Sequence, residues 1–223
     1  TNITFYHLDL NQKHLFKYHY YINMYYMYHR RLVADIMKEV YAKNMISKFD
    51  GNVSFKPKHA NYFYITAGSV RKDIITHDQI LKVCFDKNKT LTYGAESFYK
   101  PSRELPMHSY LLMDKMYENK NTFIVHAHPK NILAYMGIFK NRELNTILKY
   151  FPELVVGKIG KNVNFHEAGS NMLATNCKEN LIGNSIVGLE RHGSMSINSN
   201  LEELFNELDV LEYYTDVALR VRP

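Results

Sequence analysis

Two histidines separated by a single residue give the strongest indication of chemistry in this sequence. His126 and His128 stand in the segment Val125-His126-Ala127-His128-Pro129, at the end of an apolar run. On a strand, residues i and i+2 face the same way, with Cα atoms about 6.5 to 7 Å apart. Imidazole nitrogens bind zinc at about 2.0 to 2.1 Å, so both rings can reach one ion. Taken alone, the pair is also compatible with core hydrogen bonds or with exposure to solvent.

A third histidine, His192, strengthens the metal interpretation. It is predicted to end a second buried strand, Ser185–Gly193. Three neutral imidazoles with one open position form the ligand set of a catalytic zinc rather than a structural one. Glu190 shares the predicted strand face of His192, so it either completes or orients this shell or pairs with Arg191 or a nearby lysine.

Glu104 is the candidate proton carrier that metal-assisted chemistry at carbon requires. It stands near the start of a helix predicted from Pro101 to about Glu118. The helix dipole alone also favours an acidic residue there. His108, one helical turn further on, either holds this carboxylate or packs in the core.

Three short segments could hold an oxyanion. Gly51-Asn52-Val53-Ser54, Thr66-Ala67-Gly68-Ser69 and Pro101-Ser102-Arg103 offer hydroxyl and backbone N–H groups of the kind that bind phosphate. Taken singly, each is a weak signal, and a short segment such as GNVS is more often an ordinary hairpin turn.

The elements that position these residues are helices around a central sheet. Apolar spacings of three and four residues predict a helix over Arg30–Asn44. A β-meander is predicted through the middle of the chain, and a last helix after a capping box of Ser199 and Glu202. The other predicted elements are strands at Val53–Phe55, Tyr62–Thr66, Gln79–Phe85, Thr90–Tyr93 and Val163–Phe165, and helices at Ile132–Phe139 and Glu143–Tyr150.

The composition bounds the class of protein. The chain has 223 residues, 46% hydrophobic and 22% charged, which fits one large domain or two small ones. No apolar run reaches the roughly 18 to 20 residues of a membrane helix, and Thr1–Leu10 does not have the layout of a signal peptide. Cys84 and Cys177 show no pairing pattern and are predicted to be buried thiols in a reducing compartment. We therefore expect a cytoplasmic protein without a membrane partner.

The charge and the aromatic N-terminus leave nucleic acid as a weaker alternative. The net charge is +6, and the basic residues are scattered, which suits an anionic small substrate better than nucleic acid. Residues 5–28 are dense in tyrosine and histidine. They either stack on bases or form one or two helices that dock aromatic faces on the body or on another subunit. The second interpretation is favoured, and no nucleic-acid partner is expected.

Five segments, taken together and in order, resemble the class II aldolase and adducin head family. They are GNVS at 51–54, ITAGS at 65–69, PSRELPMH at 101–108, VHAHP at 125–129 and LERHG at 189–193. The resemblance implies an α/β fold of three αβα layers with a central, mainly antiparallel sheet. It covers residues 29–223 as one domain and leaves 1–28 as a Tyr- and His-rich N-terminal helical extension.

The resemblance also implies the site. His126, His128 and His192 would hold a divalent metal, commonly Zn²⁺, between the subunits of a homotetramer, and Glu104 would be the catalytic carboxylate. The phosphate of the substrate would bind at positions Asn52, Thr66, Gly68, Ser102 and Arg103. Because Arg103 stands where the family commonly has a second serine, and ITAGS where it commonly has ITPSG, we expect the anion pocket to be reshaped.

The expected activity is that of a zinc-dependent aldolase, a lyase of carbohydrate metabolism. It would cleave or form a C–C bond in a phosphorylated ketose through a metal-stabilised enediolate, with Glu104 moving the proton at carbon. A sugar-phosphate 4-epimerase of the same family usually has aspartate at that position. A non-catalytic scaffold like the adducin head is a further alternative, although such members have generally lost metal ligands.

Overall fold

One antiparallel sheet forms the centre of the molecule. The structure, a computed structural model, describes residues 10–94, 98–137 and 142–221, with side chains at Met24 and from Met27 onward. In these ranges seven strands pair in the order β4-β3-β2-β1-β5-β7-β6, each antiparallel to its neighbours. The first four form the predicted meander. The strands are β1 Asn52–Lys56, β2 Tyr62–Thr66, β3 Ile80–Phe85, β4 Leu91–Tyr93, β5 Thr122–Ala127, β6 Ile186–Leu189 and β7 Gly193–Asn198.

Helices cover both faces of this sheet. They are α1 Leu10–Ala42, α2 Leu105–Leu112, α3 Lys130–Met136, α4 Ile147–Tyr150, α5 Asn171–Leu181 and α6 Leu201–Arg220. Alternation along β1 separates the two faces. Phe55 faces α1, with its ring centroid 5.1 Å from that of His29, whereas the hydroxyl of Ser54 lies 2.6 Å from His108 Nδ1 of α2. The predicted αβα layering around an antiparallel sheet is confirmed.

The apolar stripe predicted for the first helix is its buried face. Val33, Ile36, Met37 and Val40 are all at most 2% exposed. The helix itself begins at Leu10, so it runs without interruption through the Tyr- and His-rich segment. Residues 1–9 of that segment lie outside the described residues. The proposed domain boundary at 28/29 therefore falls inside α1, where the exposed Tyr28 is followed by the buried His29.

The segment predicted as one strand over Ser185–Gly193 is two strands joined by a tight turn. β6 ends at Leu189, and β7 begins at Gly193. The chain reverses because Arg191 adopts a left-handed conformation, with φ of 56°, and the His192 N–H donates to the Leu189 carbonyl at 3.1 Å. His192 therefore lies in the turn itself, so the shared strand face predicted for it and Glu190 is wrong.

Other local predictions were also wrong. The last helix is capped by Asn200, whose side chain accepts from the N–H groups of Glu202 and Glu203, and not by Ser199. Helix α2 begins only at Leu105, after a turn, and ends at Leu112. Val163 makes a single bridge to Leu189 instead of a strand. Helix α5 was not predicted, although its buried Leu173, Ala174, Cys177 and Leu181 recur at helical spacing.

Two smaller expectations are settled in part. Cys177 is buried and free as predicted, whereas Cys84 is free but only partly buried. The helix predicted over Ile132–Phe139 ends at Met136, and Phe139 lies outside the described residues. Within the described ranges, no helix has both the length and the apolarity needed to cross a membrane.

Candidate active site

The start of β1, the end of β5 and the start of β7 lie side by side and bring the predicted site together. Asn52, the first residue of β1, pairs with His126 near the end of β5. His126 in turn pairs with Met195, the third residue of β7 after the turn between β6 and β7. Because these strands are adjacent, His126, His128 and His192 converge although His192 is distant in sequence.

The three imidazoles form a compact cluster. One ligating nitrogen from each ring lies within 4.8 Å of the other two, and among the described residues this is the cluster suited to a metal ion. The ring centroids are 4.7 to 5.3 Å apart. Nε2 of His126 lies 3.0 Å from Nε2 of His128. Two nitrogens bound to one tetrahedral zinc at about 2.0 to 2.1 Å would be about 3.3 Å apart, so this spacing fits a shared ion.

The protonation state of His126 also fits a ligand. Its Nδ1 lies 2.9 Å from the carbonyl oxygen of Ser194, which can only accept. Nδ1 therefore carries the proton, and Nε2 presents a lone pair toward His128. A backbone carbonyl that fixes the tautomer in this way is the usual partner of a metal-ligating histidine.

Burial keeps the three rings neutral. Removal from water lowers the pKa of His126 well below its ordinary value, and the neighbouring His128 and His192 lower it further. Burial likewise lowers the pKa of His128 and brings that of His192 to about 4. Neutral imidazoles are the form that binds metals, so the donor set suits a divalent ion at neutral pH.

Glu104 faces this cluster from the start of α2. It is the N-cap residue, but its side chain makes no capping hydrogen bond. Instead Oε1 lies 3.6 Å from His192 Nε2, and Oε2 accepts from the Gly169 N–H at 3.3 Å. The residue is 7% exposed, and burial raises the pKa of its carboxyl despite the opposing effects of the Gly169 N–H and Arg103. The helix-dipole explanation therefore does not account for its orientation.

His108 does not hold Glu104, contrary to one of the two roles considered for it. Its Nδ1 lies 2.6 Å from Ser54 Oγ, and its Nε2 bonds to Asn52 Oδ1. The Asn52 amide then donates to Ser102 Oγ at 3.0 Å. Complete burial lowers the pKa of His108 to about 3, so the ring is neutral and braces Asn52 and Ser102.

Glu190 is also accounted for by a local contact. Its Oε2 accepts from the Phe165 N–H at 3.1 Å. Among the described residues, the cluster that could hold a metal ion consists of the three histidines and does not include Glu190.

A cavity of about 590 Å³ opens in front of the histidines and Glu104. Of the sequence-derived substrate positions, Asn52, Gly68, Ser102 and Arg103 line it. Thr66 lies behind the wall, where its hydroxyl accepts from the Val53 N–H at 3.3 Å and its carbonyl accepts from the Ser102 N–H at 3.2 Å. Thr66 therefore fixes the wall and does not present a group to the cavity.

Ser69, the last residue of the predicted oxyanion segment Thr66–Ser69, also lines the cavity, in a left-handed conformation with φ of 55°. Two charged lining residues, Asp50 and Lys72, were not identified as site residues from the sequence. Asp50 lies with Oδ2 3.9 Å from His128 Nδ1. Lys72 lines the cavity while being only 1% exposed. Each is close to a recognised motif, but sequence spacing carried no signal that these side chains reach the same cavity.

Comparison with known proteins gives a family and a fold. The family model described as Class II Aldolase and Adducin N-terminal domain matches residues 31–219. No curated protein matches the chain in sequence. The resemblance inferred from the five motifs is thus confirmed at the level of the family.

Solved structures of similar fold include several aldolases. A sugar-phosphate aldolase from Thermotoga maritima has a TM-score of 0.71 and 22% identity, covering 86% of this chain and 94% of its own. An L-fuculose 1-phosphate aldolase has a TM-score of 0.67 and 19% identity, and the match covers 86% of this chain and 85% of that one. YgbL from Escherichia coli is described as a putative aldolase/epimerase/decarboxylase. It has a TM-score of 0.71 and 16% identity, and the match covers 89% of this chain and 92% of that one. At these identities the likeness establishes the fold and not the reaction.

Proposed function

Because the chain belongs to the class II aldolase and adducin N-terminal domain family, we propose that it is a metal-dependent aldolase acting on a phosphorylated ketose. One observation carries the proposal: three neutral imidazoles and a buried carboxylate face the same cavity, with Glu104 Oε1 3.6 Å from His192 Nε2. A scaffold has no use for this combination. An aldolase needs both a divalent ion and a group that carries a proton to or from carbon.

His126, His128 and His192 are the residues that would hold the ion, for which zinc is our choice. All three offer nitrogen, a donor that zinc favours, and three protein ligands leave one position for substrate. When bound, the ion would act as a Lewis acid on the carbonyl and adjacent hydroxyl oxygens of the substrate. The Ser194 carbonyl would hold His126 in the ligating tautomer.

Glu104 would move the proton at carbon. In the cleavage direction it would deliver a proton to the substrate carbon that keeps the electron pair of the broken C–C bond. In the synthetic direction it would remove that proton. A buried carboxyl suits both directions because its protonated and ionised forms become closer in free energy near neutral pH. The Gly169 N–H at 3.3 Å orients the carboxylate toward the cavity.

Lining residues beside the histidines and Glu104 would bind the phosphate. Asn52, Gly68, Ser102 and Arg103 line the cavity, and Thr66 fixes Ser102 from behind. The phosphorylated sugar is supported by the names of the sugar-phosphate aldolase and the fuculose 1-phosphate aldolase of similar fold. Binding the remote phosphate would orient the ketose against the ion and Glu104.

We also propose a homotetramer with its sites between subunits, and a cytoplasmic location. Phe165, Met172 and Tyr213 are each more than half exposed, as expected for apolar side chains that a neighbouring subunit covers. The free Cys84 and Cys177 suit a reducing compartment. Light scattering during size-exclusion chromatography tests the tetramer, and cell fractionation tests the location.

A panel of ketose 1-phosphates tests the reaction. Zinc-loaded protein is incubated with L-fuculose 1-phosphate, L-rhamnulose 1-phosphate and related sugars, and released dihydroxyacetone phosphate is measured with a coupled dehydrogenase. We expect release from at least one of them. Absence of release across the panel would contradict the aldolase. Interconversion of pentulose phosphates without free aldehyde would favour the 4-epimerase, and far less than one bound ion per chain would favour the scaffold.

A further inference from the structure

Lys72 is a buried cation in the wall of the active-site cavity. It follows β2 by six residues and is 1% exposed, yet it lines the same cavity as Glu104 and the histidines. Its Nζ donates to the Ala67 carbonyl at 2.8 Å, and its backbone N–H donates to the Lys48 carbonyl at 2.9 Å. The ammonium is therefore held beside the turn formed by Gly68 and Ser69.

The protein itself neutralises this charge poorly. Among the described residues, no carboxylate lies within the 4.0 Å of an ion pair with Lys72, and the acceptor it has is a neutral carbonyl. Burial lowers the pKa of Lys72 to about 8, an effect that Asp50 partly offsets. An ammonium has three donors, so hydrogen-bonding capacity is left for a further acceptor. A buried cation without a countercharge is costly, which is typical of a site completed by a ligand.

Two of the backbone N–H groups near this turn are already engaged. The Gly68 N–H donates to the Lys100 carbonyl at 3.0 Å, and the Ser102 N–H donates to the Thr66 carbonyl at 3.2 Å. The Asn52 amide is engaged with Ser102 Oγ. An added Cβ at Gly68 would lie 3.2 Å from the Pro101 carbonyl, so the two segments pack closely here. Among the described lining residues, Lys72 and Arg103 carry the positive charge that could balance an anion.

We propose that Lys72 is an anion-binding residue that places a buried ammonium against the phosphate of the substrate, beside the turn of Gly68 and Ser69. The inference rests on the proposed function and extends it, since it commits the site to a phosphomonoester. Such a group carries about −1.5 to −2 charges at pH 7, which Lys72 and Arg103 together balance. Lys72 would bind from within the wall, where it is buried, whereas Arg103 is exposed.

Calorimetric titration of the zinc-loaded full chain with inorganic phosphate, at fixed ionic strength, tests this role. Lys72→Gln keeps a donor for the Ala67 carbonyl and removes the charge, whereas Lys72→Met removes both. Lys58→Gln is the matched control, because Lys58 is exposed beyond the far end of β1. We expect at least a tenfold weaker phosphate Kd for Lys72→Gln, the range of a charge-assisted hydrogen bond, and an unchanged Kd for Lys58→Gln.

Kinetics on a cleaved ketose 1-phosphate provide the second readout. Lys72→Gln is expected to raise KM at least tenfold and to change kcat less, with a circular dichroism melt close to the wild type. Phosphate affinity and KM that are both unchanged in Lys72→Gln would overturn the proposal and leave the aldolase intact. If the phosphate Kd depended on Lys72 but the protein cleaved none of the sugars, the aldolase would be overturned and the anion-binding role of Lys72 would stand. Equal weakening by Lys58→Gln would also overturn the role of Lys72, since the effect would then be one of general charge.

Discussion

Glu104 and His192 approach each other to 3.6 Å, from Oε1 to Nε2, although one stands at the start of α2 and the other in the turn between β6 and β7. The contact places the proposed proton carrier next to the proposed metal ligands without making it one of them. The two roles are therefore separable by substitution.

His126→Ala should abolish zinc binding, whereas Glu104→Gln should keep zinc and lose turnover. Removing one of three ligands costs most of the affinity of such a site, and removing a general acid–base group costs roughly 10² to 10⁴ in rate. Zinc is counted by plasma mass spectrometry after dialysis, with His166→Ala as the control histidine outside the cluster. If Glu104→Gln lost the metal, Glu104 would be a ligand and not the proton carrier.

Gly193→Ala should disturb the metal site from the backbone. An added Cβ would lie 2.2 Å from the Ala127 carbonyl oxygen and 2.9 Å from Cδ2 of His128. Either β5 and β7 move apart or the His128 ring turns, so we expect at least a tenfold loss of zinc affinity. The matched control is Gly94→Ala, since an added Cβ at Gly94 meets nothing within 4 Å. Competition with a fluorescent zinc chelator measures both variants, and equal affinities would show that the turn tolerates the methyl group.

The buried His108 should make stability depend on pH. Its pKa is about 3 in the folded protein, against an ordinary value of 6.5. Below pH 6.5 the unfolded chain binds a proton that the folded protein does not bind until about pH 3, so this residue lowers stability as the pH falls through that window. His108→Gln removes the contribution, which amounts to about 2 kcal/mol at pH 5.

Urea unfolding of the metal-free proteins, at one protein concentration and at pH 7.5 and 5.0, checks this expectation. The free energy of unfolding should fall more steeply between the two values for the wild type than for His108→Gln. Equal falls would mean that His108 is not kept neutral by the fold.

The N-terminal extension should be dispensable for folding of the body. Met24 and Tyr28 are exposed, whereas His29 and Val33 are buried. A chain that begins at Met27 keeps every residue of α1 that the structure describes as buried, and we expect its thermal midpoint within about 4 °C of the full chain, a change of about 1 kcal/mol or less. Loss of the cooperative melt would instead make residues 1–26 part of the domain.

Strongly patterned parts of this molecule could be predicted from sequence. Tyr62–Thr66 is a strand with the predicted bounds, and Val33, Ile36 and Met37 form the buried stripe of a helix. In both cases local periodicity and burial agree, because one face of the element meets the core. The five ordered motifs gave the family, and the αβα layering followed from it.

The misses arose where tertiary contacts decide the local structure. His192 is held in a turn by the Leu189 carbonyl and by the conformation of Arg191. Neither feature alters the hydrophobic periodicity of the sequence. Lys72 was overlooked because its burial depends on the Ala67 and Lys48 carbonyls. Sequence alone makes a lysine a surface residue by default.

Hydrogen exchange at the carbon of dihydroxyacetone phosphate isolates the proton transfer assigned to Glu104, because it needs no aldehyde. Zinc-loaded protein is mixed with dihydroxyacetone phosphate in D₂O, and the hydroxymethyl protons are followed by NMR. We predict replacement of one of the two hydrogens by deuterium, lost in Glu104→Gln and on removal of zinc by chelation. A wild-type, zinc-loaded protein that leaves both hydrogens in place, or exchange that persists in Glu104→Gln, would contradict the account.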